Sequence, residues 1–371
     1  MPGTHSTYPL NPTTEEGSRM RYQRRTLWLL AVAVLLATIF VANPPRPAFA
    51  AEPAEDFLQG LMDRGLNDMA MVYIEQMRTS PLCPPEFKKI IDYKAGVTLV
   101  AGSRSIRSTP ERAKQLDLAR GYLEKFLADN PNHDLASSAT TQLANVLVER
   151  GRMLVDESER ASKTPDEKKQ LLTDARKLYG EAKAVFDKAE KHYTEILKKL
   201  PTGLIDRKNT EQIEARAKAR GDLVQSRLFL GTVIYETAMT YPADSKERKA
   251  LLVEAADKYK SLYEKYSSWL GGLYARMWEG RCYKELGDHK KALQIFDELL
   301  GQVDDPAAFR QLKNKALILS LETSVQPEVK QYKSAIDNAS KWLESIRGDE
   351  ETSPDGLAIK YLSGGAFLEY A

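Results

Sequence analysis

From Phe57 onward the apolar side chains recur three and four residues apart, in long stretches broken by short clusters of Pro, Gly, Asn and Asp. That spacing places them on one face of a helix, and sustained apolar/polar alternation of the kind a strand needs is scarce. The clearest stretch is residues 273–300. Met277, Gly280, Tyr283 and Leu286 share a helical face, Gly287 and Asp288 make a turn, and Ala292, Ile295, Phe296 and Leu299 line a second helix. The physical reading is specific. Gly280 is small where two helices cross closely, and Gly287 takes the left-handed backbone that ends the first helix. Ala292 is small where the second helix packs back, and Phe296 fills the space between successive units.

Weaker copies of this pattern run along the chain. Gly65 and Ala70 followed by Ile74 and Met77 read as a turn and a second helix. Ala119, Leu123 and Phe126 form another second helix, closed by Asn130 and Pro131. Gly231, Ala255, Tyr259 and Leu262 form a stretched copy around the turn at residues 242–245, and Ala335, Ala339 and Trp342 suggest one more. The count is about six helix pairs. Between them, residues 165–200 carry Leu171, Ala175, Leu178, Ala182, Val185, Ala189, Tyr193, Ile196 and Leu200 in steps of mostly four and three, a heptad seam. Pro165 suits a helix start and Pro201 closes it. A second long helix is predicted over residues 210–241. Each would reach roughly 50 Å, and the two are expected to pack as a long antiparallel hairpin, free to project from the array. Residues 358–371 read as an apolar helix left without a partner.

Gly280, Tyr283, Leu286, Gly287, Asp288, Ala292 and Phe296 stand at the spacing of the tetratricopeptide repeat, and the segment resembles that family. One departure is plain: the family's early tryptophan position is Arg276 here, with Trp278 two residues later. The resemblance implies an all-α fold, a right-handed superhelix of antiparallel helix pairs whose concave groove binds a protein or peptide.

Charge refines this picture. Five of the 54 basic residues and two of the 52 acidic ones lie within residues 1–50, leaving 49 against 50 in the remainder. A near-neutral body without a basic stripe argues against nucleic-acid binding. The first fifty residues have their own logic. A polar stretch ending in Arg21, Arg24 and Arg25 precedes an unbroken apolar run at residues 26–42, a Pro-rich break, and Ala48 and Ala50 flanking Phe49. That is the order of a secretory signal with a small-x-small cleavage site. The two-domain expectation is therefore residues 1–50 as signal peptide or membrane anchor and residues 51–371 as the repeat array, outside the cytoplasm. Two fates stay open: cleavage after Ala50, or retention of residues 26–42 as a spanning helix about 25 Å long. In the second, this run is the array's membrane contact.

Catalytic chemistry is not legible. The four histidines, His5, His133, His192 and His289, share no metal-ligand spacing, and there is no phosphate-cradling glycine loop or nucleophile elbow. Cys83 and Cys282 lie far apart and read as two unpaired, buried small residues. No cofactor, metal, small-molecule substrate or catalytic residue is expected. Tyr259, Tyr263, Tyr266, Trp269, Tyr274, Trp278 and Tyr283 crowd into twenty-five residues. An aromatic stripe at helical period packs a core, whereas rings lining a groove would anchor a bound chain. On the second reading Tyr259, Tyr263, Tyr266, Trp269, Tyr274 and Trp278 are the candidate partner-binding residues. The functional expectation is a non-catalytic protein-interaction scaffold in the bacterial cell envelope. The alternative is the helical platform of a larger cell-wall lytic enzyme. A third is a structural array that self-associates through its long hairpin.

Overall fold

The computed structural model describes residues 53–302, 307–346 and 348–371. Residues 26–42 and the cleavage-site residues Ala48 and Ala50 lie outside these. The chain divides into two compact units, residues 1–57 and 58–371. The second is the helical array.

The described residues form thirteen α-helices, a single 3-10 turn at Gly348–Thr352, and no strand. The helices are α1 (Ala54–Asp63), α2 (Asn67–Thr79), α3 (Pro85–Ser103), α4 (Thr109–Asp129), α5 (Ala136–Ser158) and α6 (Pro165–Lys199). There follow α7 (Thr210–Met239), α8 (Lys246–Tyr266), α9 (Leu270–Glu285), α10 (His289–Leu300), α11 (Ala307–Ser324), α12 (Tyr332–Glu344) and α13 (Pro354–Tyr370). Their starts are written in the sequence. Thr164 and Glu167 form a reciprocal capping box ahead of α6, and the Asn209, Ser245, Asp288 and Ser353 side chains each accept a backbone N–H in the first turn of their helix. Gly287, at φ +80°, ends α9 in the left-handed region as expected.

From α2 to α13 each helix packs on the next. Alternate ones differ by layer: α3 touches α5, α5 touches α7, α7 touches α9, α9 touches α11 and α11 touches α13. Among the described residues no two of α4, α6, α8, α10 and α12 bring their backbones together, and α4 and α6 are bridged only by long side chains, Arg120 to Glu181 at 3.0 Å. An array whose odd helices meet while its even helices stay apart curves with the odd layer inside. This is the tetratricopeptide-like superhelix, with a long hairpin at its middle.

One joint recurs. A side chain added at Gly280 on α9 would lie 2.6 Å from the Phe296 ring on α10, and one at Gly231 on α7 would lie 2.6 Å from Tyr259 on α8. The same close approach pairs Gly151 on α5 with Tyr179 on α6, and Gly96 on α3 with Leu123 on α4. In each, a bare backbone on an odd helix seats a large side chain from the next even helix. Phe296, Tyr259, Tyr179 and Leu123 are all fully buried. Burying a side chain of this size contributes roughly 1.5–3 kcal/mol.

The structure corrects four details. The buried stripe of α6 runs Ala175, Tyr179, Ala182, Phe186, Ala189 and Tyr193. Tyr179 and Phe186 therefore replace Leu178 and Val185 in the predicted seam, because Gly151 opens a seat for Tyr179 and Phe229 stacks on Phe186 at 5.4 Å. The long hairpin is antiparallel, with Arg176 donating to the Thr240 carbonyl at one end and Arg227 paired with Glu190 further along. Most of it lies inside the array between α5 and α8, and only the part beyond Tyr193 and Ala219 lacks buried residues. The last helix, α13, is not unpaired. Ile359 and Ala366 bury against α11 and α12, while Tyr361 and Leu368 on its far side are each 82% exposed. Cys282 is buried, but Cys83 is only half-buried in the turn before α3, and both are free thiols.

Candidate functional site

The inner layer of odd helices carries the side chains best placed to meet a partner. On α9, Trp278 stacks on Tyr259 with ring centroids 6.0 Å apart and meets Tyr235 of α7 edge-on at 5.4 Å. The Arg281 guanidinium lies 4.8 Å from the Trp278 centroid and 4.9 Å from that of Tyr235. Trp278 and Arg281 are half-buried, so a flat aromatic and cationic ledge remains at the surface above a buried ring cluster. Burial pushes the Tyr235 and Tyr259 hydroxyls well above the ordinary tyrosine range, so both stay neutral.

Opposite charges stitch the odd helices together. Arg152 of α5 donates to Glu236 of α7 at 2.6 Å, Lys284 of α9 to Glu322 of α11 at 2.5 Å, and Lys315 of α11 to Asp355 of α13 at 3.2 Å. Burial alone would lower the Arg152 pKa, but the Glu236 charge and hydrogen bond overcome it and hold Arg152 above its usual value. Between α3, α4, α5 and α7 lies a recess of about 230 Å³. Its wall includes Gln142 and Asn145, and its base Phe186 and Phe229. Arg112 pairs with Glu149 there. The Gln142 and Asn145 amides make no hydrogen bond among the described residues and are half-buried on a rigid helix. Such groups suit the exposed N–H and C=O of an extended peptide.

The six aromatic residues singled out in the sequence do not share one surface. Tyr259 is fully buried and its hydroxyl sits 3.1 Å from that of Thr232; it belongs to the core and does not line a groove directly. Tyr263 is half-buried on α8 and donates to Glu298 of α10 at 2.7 Å. Arg276 covers its ring and also bonds Glu298 and the buried Glu279. Tyr274 packs against the core cluster of α9, α10 and α11. Tyr266 is buried beside Trp269, which is 37% exposed in the turn from α8 to α9. Only Trp278 belongs to the inner-layer ledge. Tyr235, Arg281, Gln142 and Asn145 escaped the sequence reading, since no local motif marks residues brought together from separate helix pairs.

Among the described residues no three His, Cys, Asp or Glu side chains converge as a metal site, and no helix is long and apolar enough to cross a membrane.

Residues 274–305 match the family model of the tetratricopeptide repeat. No curated protein matches the chain. Among solved structures it is similar to yeast Tom70, at 12% identity over 92% of this chain and 79% of that one, with a TM-score of 0.24. It is also similar to a computationally designed self-assembling cyclic homo-oligomer, at 11% identity over 83% and 96% respectively, with a TM-score of 0.25. TM-scores of this size carry no argument, so the assignment rests on the matched repeat and the two-layer helical array around it. One tetratricopeptide repeat is matched in the chain, at residues 274–305, within an all-helical two-layer array.

Proposed function

We propose that the chain is a non-catalytic scaffold that holds a protein segment along its inner helix layer, outside the cytoplasm in the bacterial cell envelope. The observation that carries this reading is the recess on α3, α5 and α7, edged by α4, where Gln142 and Asn145 offer unclaimed amide donors and acceptors beside Arg112. The ledge of Trp278 and Arg281 extends the same layer two helices further on. A preformed face of this kind lowers the ordering cost of binding an extended chain. Export is supported by the order of residues 1–50: cationic end, apolar run, proline break, Ala48 and Ala50.

The test is affinity capture from envelope fractions with the full chain as bait. A defined protein partner is expected with the unaltered chain and is lost from the Gln142→Ala, Asn145→Ala double variant and from Arg281→Ala. The outer-face variant Lys258→Ala retains it. Capture that ignores the inner-layer changes refutes the inner face as the binding surface. For export, the N-terminus of the protein recovered from cells is expected at Ala51 or, if uncleaved, upstream of an array accessible to external protease; a protease-shielded array contradicts it.

A further inference from the structure

Because α6 and α8 do not meet, a groove opens between them on the outer side. The groove between α6 and α8, floored by α7, widens at the hairpin tip into a recess of about 520 Å³, within the roughly 300–1,000 Å³ of typical ligand-binding pockets. Lys198, Arg216, Arg220, Arg227, Lys265 and Trp269 line it, and no carboxylate does. The compensation of these charges is uneven. Arg227 is paired with Glu190 at 2.8 Å, and Lys198 with Glu195 at 2.7 Å. Arg216 donates to the Pro201 and Gly203 carbonyls at 3.0 and 2.6 Å, which fixes the loop but leaves its charge unneutralised. Arg220 and Lys265 have no ion pair among the described residues; Lys265 lies only over the Tyr266 ring, at 5.6 Å. Three cations in one concavity thus lack a counter-charge, beside an indole that is 37% exposed.

We propose that this recess is a second docking site, on the opposite layer from the inner face, and that it takes a short acidic protein segment carrying an apolar residue. The charge supplies attraction and orientation, and Trp269 with Leu197 and Leu223 supplies the apolar wall. The length of the segment follows from the neighbouring stretch of the same groove. There a recess of about 470 Å³ is lined by Glu190, Glu254 and Asp257, with Arg227 and Lys258. A continuous polyanion laid along the groove would run from cations into carboxylates, which disfavours a nucleic acid strand. A flat anionic membrane would reach the exposed Leu204 at the tip but not cations set inside a concavity.

The test is fluorescence-anisotropy titration of the full chain with a labelled, capped nonapeptide of alternating Asp and Glu around one central Phe. Phosphatidylglycerol vesicles and a single-stranded oligonucleotide are run alongside. Saturable peptide binding is expected, weakening steeply with salt. The double variant Arg220→Glu, Lys265→Glu weakens it by about tenfold or more. Trp269→Ala weakens it several-fold, and replacing the peptide's Phe by Ser has a comparable effect. The inner-face variant Asn145→Ala leaves it unchanged, so this site and the proposed inner face fail or stand separately. Circular dichroism confirms that each variant is folded, and Arg220→Gln with Lys265→Gln supplies a gentler pair if charge reversal unfolds the tip. Absence of peptide binding overturns the proposal. So does binding insensitive to both pairs, or tighter binding of vesicles or oligonucleotide with the same residue dependence.

Discussion

The α9–α10 pair and the α6–α7 pair meet their neighbours through the same kind of joint, yet they differ in what lies beyond it. In α9–α10 the helices end soon after the Gly280–Phe296 contact, and the surrounding polar groups are drawn inward. Glu279 is 1% exposed, held by Arg276, which also binds Glu298. In the long hairpin Tyr179 of α6 sits on Gly151 in the same way, but both helices run on past Tyr193 and Ala219 into largely polar sequence without buried residues. Cohesion therefore comes from the crossing, and extra helix length adds solvent-facing surface that is free to carry recognition.

The largest expected difference between the two regions is electrostatic. Arg276→Met strands the buried Glu279 carboxylate and is expected to cost about 3–5 kcal/mol at neutral pH. Glu190→Gln in the hairpin breaks a pair whose side chains are each roughly a quarter to a third exposed, and should cost less than about 1 kcal/mol. Urea midpoints of the two variants measure the contrast; equal losses would erase it.

The shared joint comes next. Gly280→Ala and Gly151→Ala each gain about 1 kcal/mol of helix propensity but are overpacked by roughly 1–3 kcal/mol, and both should be net destabilising. Gly180, on α6 itself, has open space at its Cβ position, so Gly180→Ala should stabilise by up to about 1 kcal/mol. A stabilising Gly151→Ala would contradict the close approach.

The polar knot around Arg276 also sets a pH dependence. Burial pushes the Glu279 carboxyl up despite Arg276, so its ionisation opposes folding above the raised value, and that penalty is relieved as pH falls through it. Burial would raise Glu298 too, but hydrogen bonds from Arg276 and Tyr263 hold it below its usual value. Its stabilisation is present above about pH 4.5, the unperturbed value, and is lost as pH falls through the depressed one. Stability profiles from pH 7 to 3 should lose the acid-side fall in Glu298→Gln and the preceding relief in Glu279→Gln. Identical profiles for both variants would show that the two carboxylates do not titrate as separate groups. The smallest effect is expected at the tip, where Leu204→Ala and Lys208→Ala should each change stability by no more than about 0.5 kcal/mol, read from the same midpoints.

Much of the array is legible in the sequence. The glycine turns at Gly65 and Gly287, the Gly280–Phe296 and Gly231–Tyr259 relations, and the limits of both long helices all follow from local spacing and caps. Phe296 follows Gly280 after sixteen residues, whereas Leu123, Tyr179 and Tyr259 follow Gly96, Gly151 and Gly231 after 27 or 28, and of these stretched pairs only Gly231–Tyr259 flanks a turn plain in sequence, at residues 242–245. Long helices stretch the interval, so the repeat hides from a fixed template. The seam of α6 was misread by one position at Leu178 and Val185 for a related reason: the choice between adjacent helix faces was made by Gly151, on another helix. The functional face was the least legible. Its residues come from three or more helix pairs, and an unbonded Asn145 is indistinguishable in sequence from any other helix-surface asparagine.

The central claim is that the odd-numbered layer is the binding face, and hydrogen exchange with and without the captured partner tests it most directly. Protection is predicted over residues 142–152 of α5 and 278–284 of α9, with α8, α10 and α12 unchanged. Protection confined to the even helices, or none on α5 and α9, would contradict the account.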